Sequence, residues 1–209
     1  MILDTPRGTK WRIDHAQAAR KLALRVELPG ARVFDLAADA LRRARDAGLP
    51  TESRLALALP ASWLVNSPAI SHVLKRWALP PQRDVWLDLV AAVEAGRGAD
   101  LVGLVQKLGG EPYAVEAVSK ILALLVPGAV PLMPAAACAF VLGDGAGASA
   151  ATFAAMVGWF GESAAKHRDE LSEIARVHLA VSLESAQVLD RLLWFDSEGY
   201  RHFPPLAPS

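Results

Sequence analysis

The stretch that decides the fold is ILALLVPGAVPLMPAAACAFVLG, residues 121–143, which contains no charged side chain. Its length would suit a membrane span, since about 20 apolar residues cross the hydrocarbon layer as a helix. Pro127, Pro131 and Pro134 interrupt any such helix, and Gly128 adds a further break. The freed backbone carbonyls would have no partner in lipid, whereas a protein interior can supply one. The run therefore predicts the buried core of a soluble protein without a membrane span.

The sequence on both sides of this run favours helix. Ala, Leu and Arg dominate, and apolar residues recur at helical spacing rather than in alternation, so little in the sequence indicates sheet. The expected helices cover residues 15–27, 31–47, 51–59, 69–77, 83–94, 100–108, 113–126, 135–142, 151–159, 168–182 and 185–194. Prolines at positions 29, 60, 80 and 81 are expected to lie between helices.

These patterns predict an all-α fold, an irregular bundle of about ten helices with short connections. We expect a single helical domain over residues 1–203 and a loose tail at 204–209. A division into two lobes, over residues 15–108 and 109–203, stays open at this point.

Composition restricts the classes of function. The 22 basic and 22 acidic residues cancel, which argues against non-specific coating of nucleic acid. Cys138 is the single cysteine and the first residues carry no secretory pattern, so a reducing, cytoplasmic location is expected. No two histidines have the spacing of a zinc helix, and the glycines at 143, 145 and 147 follow an apolar helix rather than a strand. The sequence therefore predicts neither a metal nor a cofactor.

A family resemblance covers the segment LGGEPYAVEAVSKILALLVPGAVPLMPAAACAFVL, residues 108–142. Its order of hairpin, helix, proline-rich lead and apolar helix resembles the helix-hairpin-helix DNA glycosylases. In that superfamily the hairpin amides hold a DNA phosphate, and the lead ends in a catalytic aspartate. The resemblance implies that Gly109, Gly110 and Tyr113 are candidate binding residues, and it implies the same helical scaffold for the chain.

Shorter motifs are most similar to an uncharacterised bacterial group of proteins on that scaffold. They are Ser119-Lys120-Ile121-Leu122 and, near the other end of the resemblance, VLDRLLW at residues 188–194. The resemblance then extends over residues 30–195.

The departures from the glycosylase pattern bear on activity. The catalytic aspartate is replaced by Pro134, and residues 135–137 offer no carboxylate. Glu111 and Pro112 stand in the hairpin, where they add a charge that repels phosphate and remove an amide donor. We therefore expect the glycosylase chemistry to be absent and the binding of phosphate to be weak.

Two hypotheses follow. The first is a non-catalytic binding protein that takes a protein or small-molecule partner, or nucleic acid, in a cleft between lobes. The second is an enzyme acting on a nucleobase or nucleoside, in which Lys120 as an amine nucleophile or Asp190 as a carboxylate replaces the missing group. Each residue also has a structural interpretation: Lys120 as a snorkelling surface lysine, and Asp190 as a cap or a partner of Arg191 or Arg176. Convergence of Lys120 and Asp190 in one pocket would favour the enzyme.

Overall fold

The computed structural model describes residues 1–26, 29–63, 80–109, 112–147, 149–178 and 183–198. Within these residues the chain is mostly helical, as predicted, with ten helices and one small sheet. The elements are β1 (Ile2–Asp4), β2 (Lys10–Arg12), α1 (His15–Val26), α2 (Pro29–Asp46), α3 (Thr51–Trp63), α4 (Pro80–Glu94), α5 (Gly98–Lys107), α6 (Pro112–Leu125), α7 (Ala135–Leu142), α8 (Ala150–Lys166), α9 (Arg168–His178) and α10 (Ser185–Ser197). The helix expected at 69–77 and the tail at 204–209 lie outside the described residues.

Several prolines begin helices instead of separating them. Helices α2, α4 and α6 start at Pro29, Pro80 and Pro112. Proline suits a first helical position because its fixed φ is helical and its missing N–H would have no partner there. Pro60 was also expected to lie outside a helix, but α3 continues through it to Trp63. The starts of α2, α4 and α6 and the end of α3 therefore extend a few residues beyond the predicted helices.

A short β-hairpin precedes the helices, and the sequence analysis did not predict it. Leu3 pairs with Trp11 across the two antiparallel strands, and both side chains are buried. Trp11 donates from Nε1 to Asp196 Oδ2 at 2.8 Å, and Trp159 donates from Nε1 to the carbonyl of Asp4 at 2.9 Å. Strands of three residues are too short for alternation to be recognised, so the hairpin could not be predicted from the sequence pattern.

Helices α6 and α8 each pack against several other helices. Helix α6 contacts α2, α3 and α8, while α8 also contacts α5, α7, α9 and α10. The buried apolar side chains, from Leu3 to Leu193, belong to one cluster that draws on both halves of the chain.

The uncharged run lies inside this cluster. Its first five residues are the last of α6, residues 126–134 form an irregular segment, here called the break, and α7 follows. Ile121, Val130, Met133 and Cys138 are all nearly inaccessible to solvent. Within the described residues, no helix has the length and apolarity needed to cross a membrane.

Candidate functional site

Two polar side chains hold the backbone of the break. Asp190 on α10 accepts a hydrogen bond from the backbone N–H of Leu132, with 2.7 Å between N and Oδ1. Ser119 on α6 accepts one from the backbone N–H of Met133, at 3.2 Å. Both side chains are buried, and an irregular buried backbone needs such partners because an unpaired buried amide costs free energy. Asp190 therefore stabilises the backbone of the break, whereas the sequence had made it a candidate catalytic residue.

Asp190 is also part of a buried ion cluster. Arg191 donates from Nη1 to Asp190 and from Nη2 to Asp35 on α2, the latter at 2.5 Å. The side chains of Arg191 and Asp190 are 4% and 5% exposed. Burial works against the charge of Arg191, but its two carboxylate partners prevail and raise the pKa of its guanidinium. The pairing of Asp190 with Arg191 was one of the structural alternatives that the sequence left open.

Arg54 is hydrogen-bonded to the end of α6, just before the break. Its side chain is buried and donates from Nη1 to the carbonyl of Leu125, at 3.3 Å. The same guanidinium donates to Thr51 Oγ1 at 2.8 Å and lies 3.5 Å from Glu94 Oε1. Arg54 thereby connects α3 and α4 to the last turn of α6. Sequence reasoning did not single it out, because nothing in its local pattern indicates burial.

Lys120 forms a separate and simpler contact. Its Nζ lies 2.6 Å from Glu116 Oε1, one turn earlier on α6, and its side chain is 14% exposed. Within the part of the chain that the structure describes, no hydrogen bond or ion pair connects Lys120 with Asp190. The two candidate catalytic residues therefore belong to different polar groups.

The cavity beside Asp190 is too small for a substrate. Its volume is about 10 Å³, and it is lined by Ala123, Pro127, Gly128, Val130, Gln187, Asp190 and Arg191. A cavity needs roughly 10–15 Å³ to hold one water molecule. Among the residues that the structure describes, this cavity leaves no room for a nucleobase beside the Asp190 carboxylate.

The segment that resembles a phosphate-binding hairpin is described only in part. Gly109 has a φ of +122°, and its N–H donates to the carbonyl of Gln106 at 3.0 Å, so this amide closes the end of α5. Gly110 lies outside the described residues. Tyr113 belongs to α6, but its side chain is likewise outside them.

Pro134 occupies the N-cap of α7, with φ −65° and ψ 156°. Its carbonyl accepts the N–H of Cys138 at 3.2 Å, as the first intrahelical bond of α7. A carboxylate at an N-cap would face the free amides of the first turn. Proline supplies no such group, and the first turn of α7 contains no acidic residue.

An open cleft of about 450 Å³ also borders the break. It is lined by Pro127, Gly128, Ala129, Gly161, Ala164, Ala165, Arg168, Glu184, Ser185 and Ala186. These residues come from the break, the last turns of α8, and the starts of α9 and α10. Here this space is called the alanine cleft, after the small residues of its wall.

Gly128 shapes the floor of the alanine cleft. Its φ is +94°, a conformation that glycine adopts readily and other residues rarely do. A Cβ at this position would come within 3.2 Å of Glu184 Oε2 and 3.4 Å of Ala186 Cβ. Glycine therefore permits the break to approach the start of α10 closely. The cleft could not be predicted from the sequence, because small residues do not indicate a site when their position in space is unknown.

A second cleft, of about 460 Å³, lies along α4 and α5. Its wall consists of Asp88, Arg97, Ala99, Asp100, Gly103, Leu104 and Lys107. Arg97 and Asp100 already pair with each other, with 3.1 Å between Nη1 and Oδ2. Each of these two clefts is formed by residues from one half of the chain. The cleft between lobes stays a prediction.

The chemistry of the remaining groups is restricted. Within the described residues, no three His, Cys, Asp or Glu side chains are grouped so that they could hold a metal ion. Cys138 is fully buried, and burial raises the pKa of its thiol to about 11, which leaves little thiolate for nucleophilic attack. Comparison of the chain with protein-family models, curated proteins and solved structures found no match.

Proposed function

We propose that this protein is a non-catalytic binding protein and that the alanine cleft is its binding site. The observation that carries the proposal is the structural engagement of Asp190, which holds the break through Leu132 and pairs with Arg191. Lys120 is paired with Glu116 and shares no contact with Asp190 among the described residues. A catalytic carboxylate needs access to a substrate, and the cavity beside Asp190 has room for about one water molecule.

The proposed scaffold is that of the helix-hairpin-helix DNA glycosylases. Support comes from the order of α6, the break and α7, which follows the order of segments in the resemblance. Pro134 at the N-cap of α7 stands where the family has its aspartate, so the proposal retains the scaffold without the chemistry. A buried, single Cys138 fits the reducing environment of the cytoplasm.

A protein or small-molecule partner fits the observations better than nucleic acid. The formal net charge is zero, and phosphate binding depends largely on basic side chains and free amides. The amide of Gly109 is engaged within its own helix end. The alanine cleft has the volume of a small-ligand site, which is typically about 300–1,000 Å³.

The non-catalytic half of the proposal is tested with DNA substrates. The chain is incubated with duplexes that contain uracil, 8-oxoguanine, alkylated adenine or an abasic site, with and without borohydride. We expect neither base release nor a trapped covalent complex. Base release abolished by Asp190→Asn, or trapping abolished by Lys120→Gln, would refute the non-catalytic assignment.

The binding half is tested by amide NMR with a library of small neutral, anionic, cationic and zwitterionic fragments. Binding in the alanine cleft should shift the amides of Gly128, Gly161 and Ser185. Gly161→Leu should abolish these shifts, because Gly161 faces open space in the cleft and a leucine side chain there would occupy the space of the ligand. Gly158→Leu is the matched control: Gly158 is an exposed glycine on the same helix, also facing open space, but outside the cleft wall. Absence of any fragment at the cleft, or equal effects of the two variants, would refute this site.

A further inference from the structure

The alanine cleft contains two charged side chains of opposite sign. Arg168 is the first residue of α9, and Glu184 is the N-cap of α10. Neither forms an ion pair within 4 Å among the residues that the structure describes, although both line the same cleft. The Glu184 carboxylate accepts one hydrogen bond, from the backbone N–H of Gln187 in the capping box of α10, and keeps further acceptor capacity. The guanidinium of Arg42 donates a hydrogen bond to Asp39 at 2.6 Å, which is the main cause of its raised pKa, and the charge of Glu184 adds to that rise.

Charge complementarity selects the ligand. An anion in this cleft would be attracted by Arg168 and repelled by Glu184, and a cation would experience the reverse. A molecule that carries both charges satisfies both side chains.

We propose that the alanine cleft binds a small zwitterion of the amino-acid type, with its carboxylate at Arg168 and its ammonium group at Glu184. This inference rests on the proposed function, since it names the ligand class for the same cleft. The small residues around the two charges leave space for an apolar ligand side chain. The lack of a side chain at Gly128 keeps the Glu184 carboxylate accessible, because a Cβ there would crowd it.

The test uses three probes with one side chain and different charges: L-leucine, N-acetyl-L-leucine, which lacks the ammonium group, and L-leucinamide, which lacks the carboxylate. Affinities are measured by calorimetry or by NMR titration of the full chain. We expect L-leucine to bind at least about tenfold more tightly than either derivative, as the loss of a charge-assisted hydrogen bond implies.

Two conservative variants assign each charge to its residue. Arg168→Gln should abolish the preference for L-leucine over L-leucinamide, and Glu184→Gln should abolish the preference over N-acetyl-L-leucine. Both side chains are exposed, so neither substitution should unfold the protein. Arg97→Gln, in the second cleft, is the matched control and should leave all three affinities unchanged.

The outcomes separate this inference from the proposed function. Equal affinity for L-leucine and either derivative, or unchanged preferences in both variants, would overturn the zwitterion site. If library fragments bind the cleft but L-leucine does not, the ligand class is wrong while the binding function stands. If no fragment or probe binds there, both proposals fail together with the site.

Discussion

Replacement of Asp190 should lower the free energy of unfolding strongly if this carboxylate is structural, and little or not at all if it is catalytic. In Asp190→Ala, the N–H of Leu132 loses its acceptor and Arg191 loses one of its two partners. A catalytic residue that is not needed for folding could be removed at little cost, or even with a gain in stability. The structural assignment instead requires a large loss in the free energy of unfolding.

The structure sets the magnitude of that loss. An unsatisfied buried amide costs about 1–3 kcal/mol, and removal of one partner from a buried ion pair costs about 3–5 kcal/mol. Asp35 remains beside Arg191 and moderates the second cost. We therefore expect Asp190→Ala to lower the free energy of unfolding by about 3–5 kcal/mol in total. Asp190→Asn keeps an acceptor for Leu132 and should cost less, about 1–3 kcal/mol.

The assay is urea denaturation followed by circular dichroism, with Asp190→Ala, Arg191→Met and the double variant compared in one cycle. Arg191→Met removes the buried cation that Asp190→Ala leaves poorly compensated, so the double variant should be more stable than the sum of the single losses predicts. A loss below about 1 kcal/mol in Asp190→Ala would contradict the structural assignment. Additive losses would show that the two residues do not act as a pair.

Three further predictions concern single sites. Lys120→Gln should lower the free energy of unfolding by less than about 0.5 kcal/mol, because it removes only one contact with Glu116 on the same helix; a urea-measured loss above about 2 kcal/mol would show a larger structural role. The difference in the free energy of unfolding between wild type and Cys138→Ala should fall by about 2–3 kcal/mol as pH rises from 8 to 11.5. The thiol ionises above about pH 9 in the unfolded chain but only near pH 11 in the folded one, so alkaline pH favours the unfolded state of wild type. A pH-independent difference in urea titrations would contradict the burial of this thiol. Gly158→Leu and Gly161→Leu should each raise the free energy of unfolding by about 0.5–1 kcal/mol, because leucine is the better helix former and both positions face open space; calorimetry should show higher melting temperatures, and a lower one for Gly161→Leu alone would indicate a clash in the alanine cleft.

The candidate site was only partly predictable from sequence. Asp190 was noticed because a carboxylate among leucines signals burial, and Lys120 because it stood near a family motif. Their roles depend on neighbours that are distant in sequence: Asp190 holds Leu132, 58 positions away, and Arg191 reaches Asp35, 156 positions away. Local spacing cannot predict such pairs.

Sequence alone determined that the chain is helical and that the run at 121–143 is core, because apolar periodicity and prolines act on the backbone locally. Tertiary structure decided what the polar groups inside that core do. The break needs buried hydrogen-bond partners, and packing brings Asp190 and Ser119 to it from two helices. Packing likewise brings residues from four segments together in the alanine cleft, a site defined by relative positions that no single segment encodes.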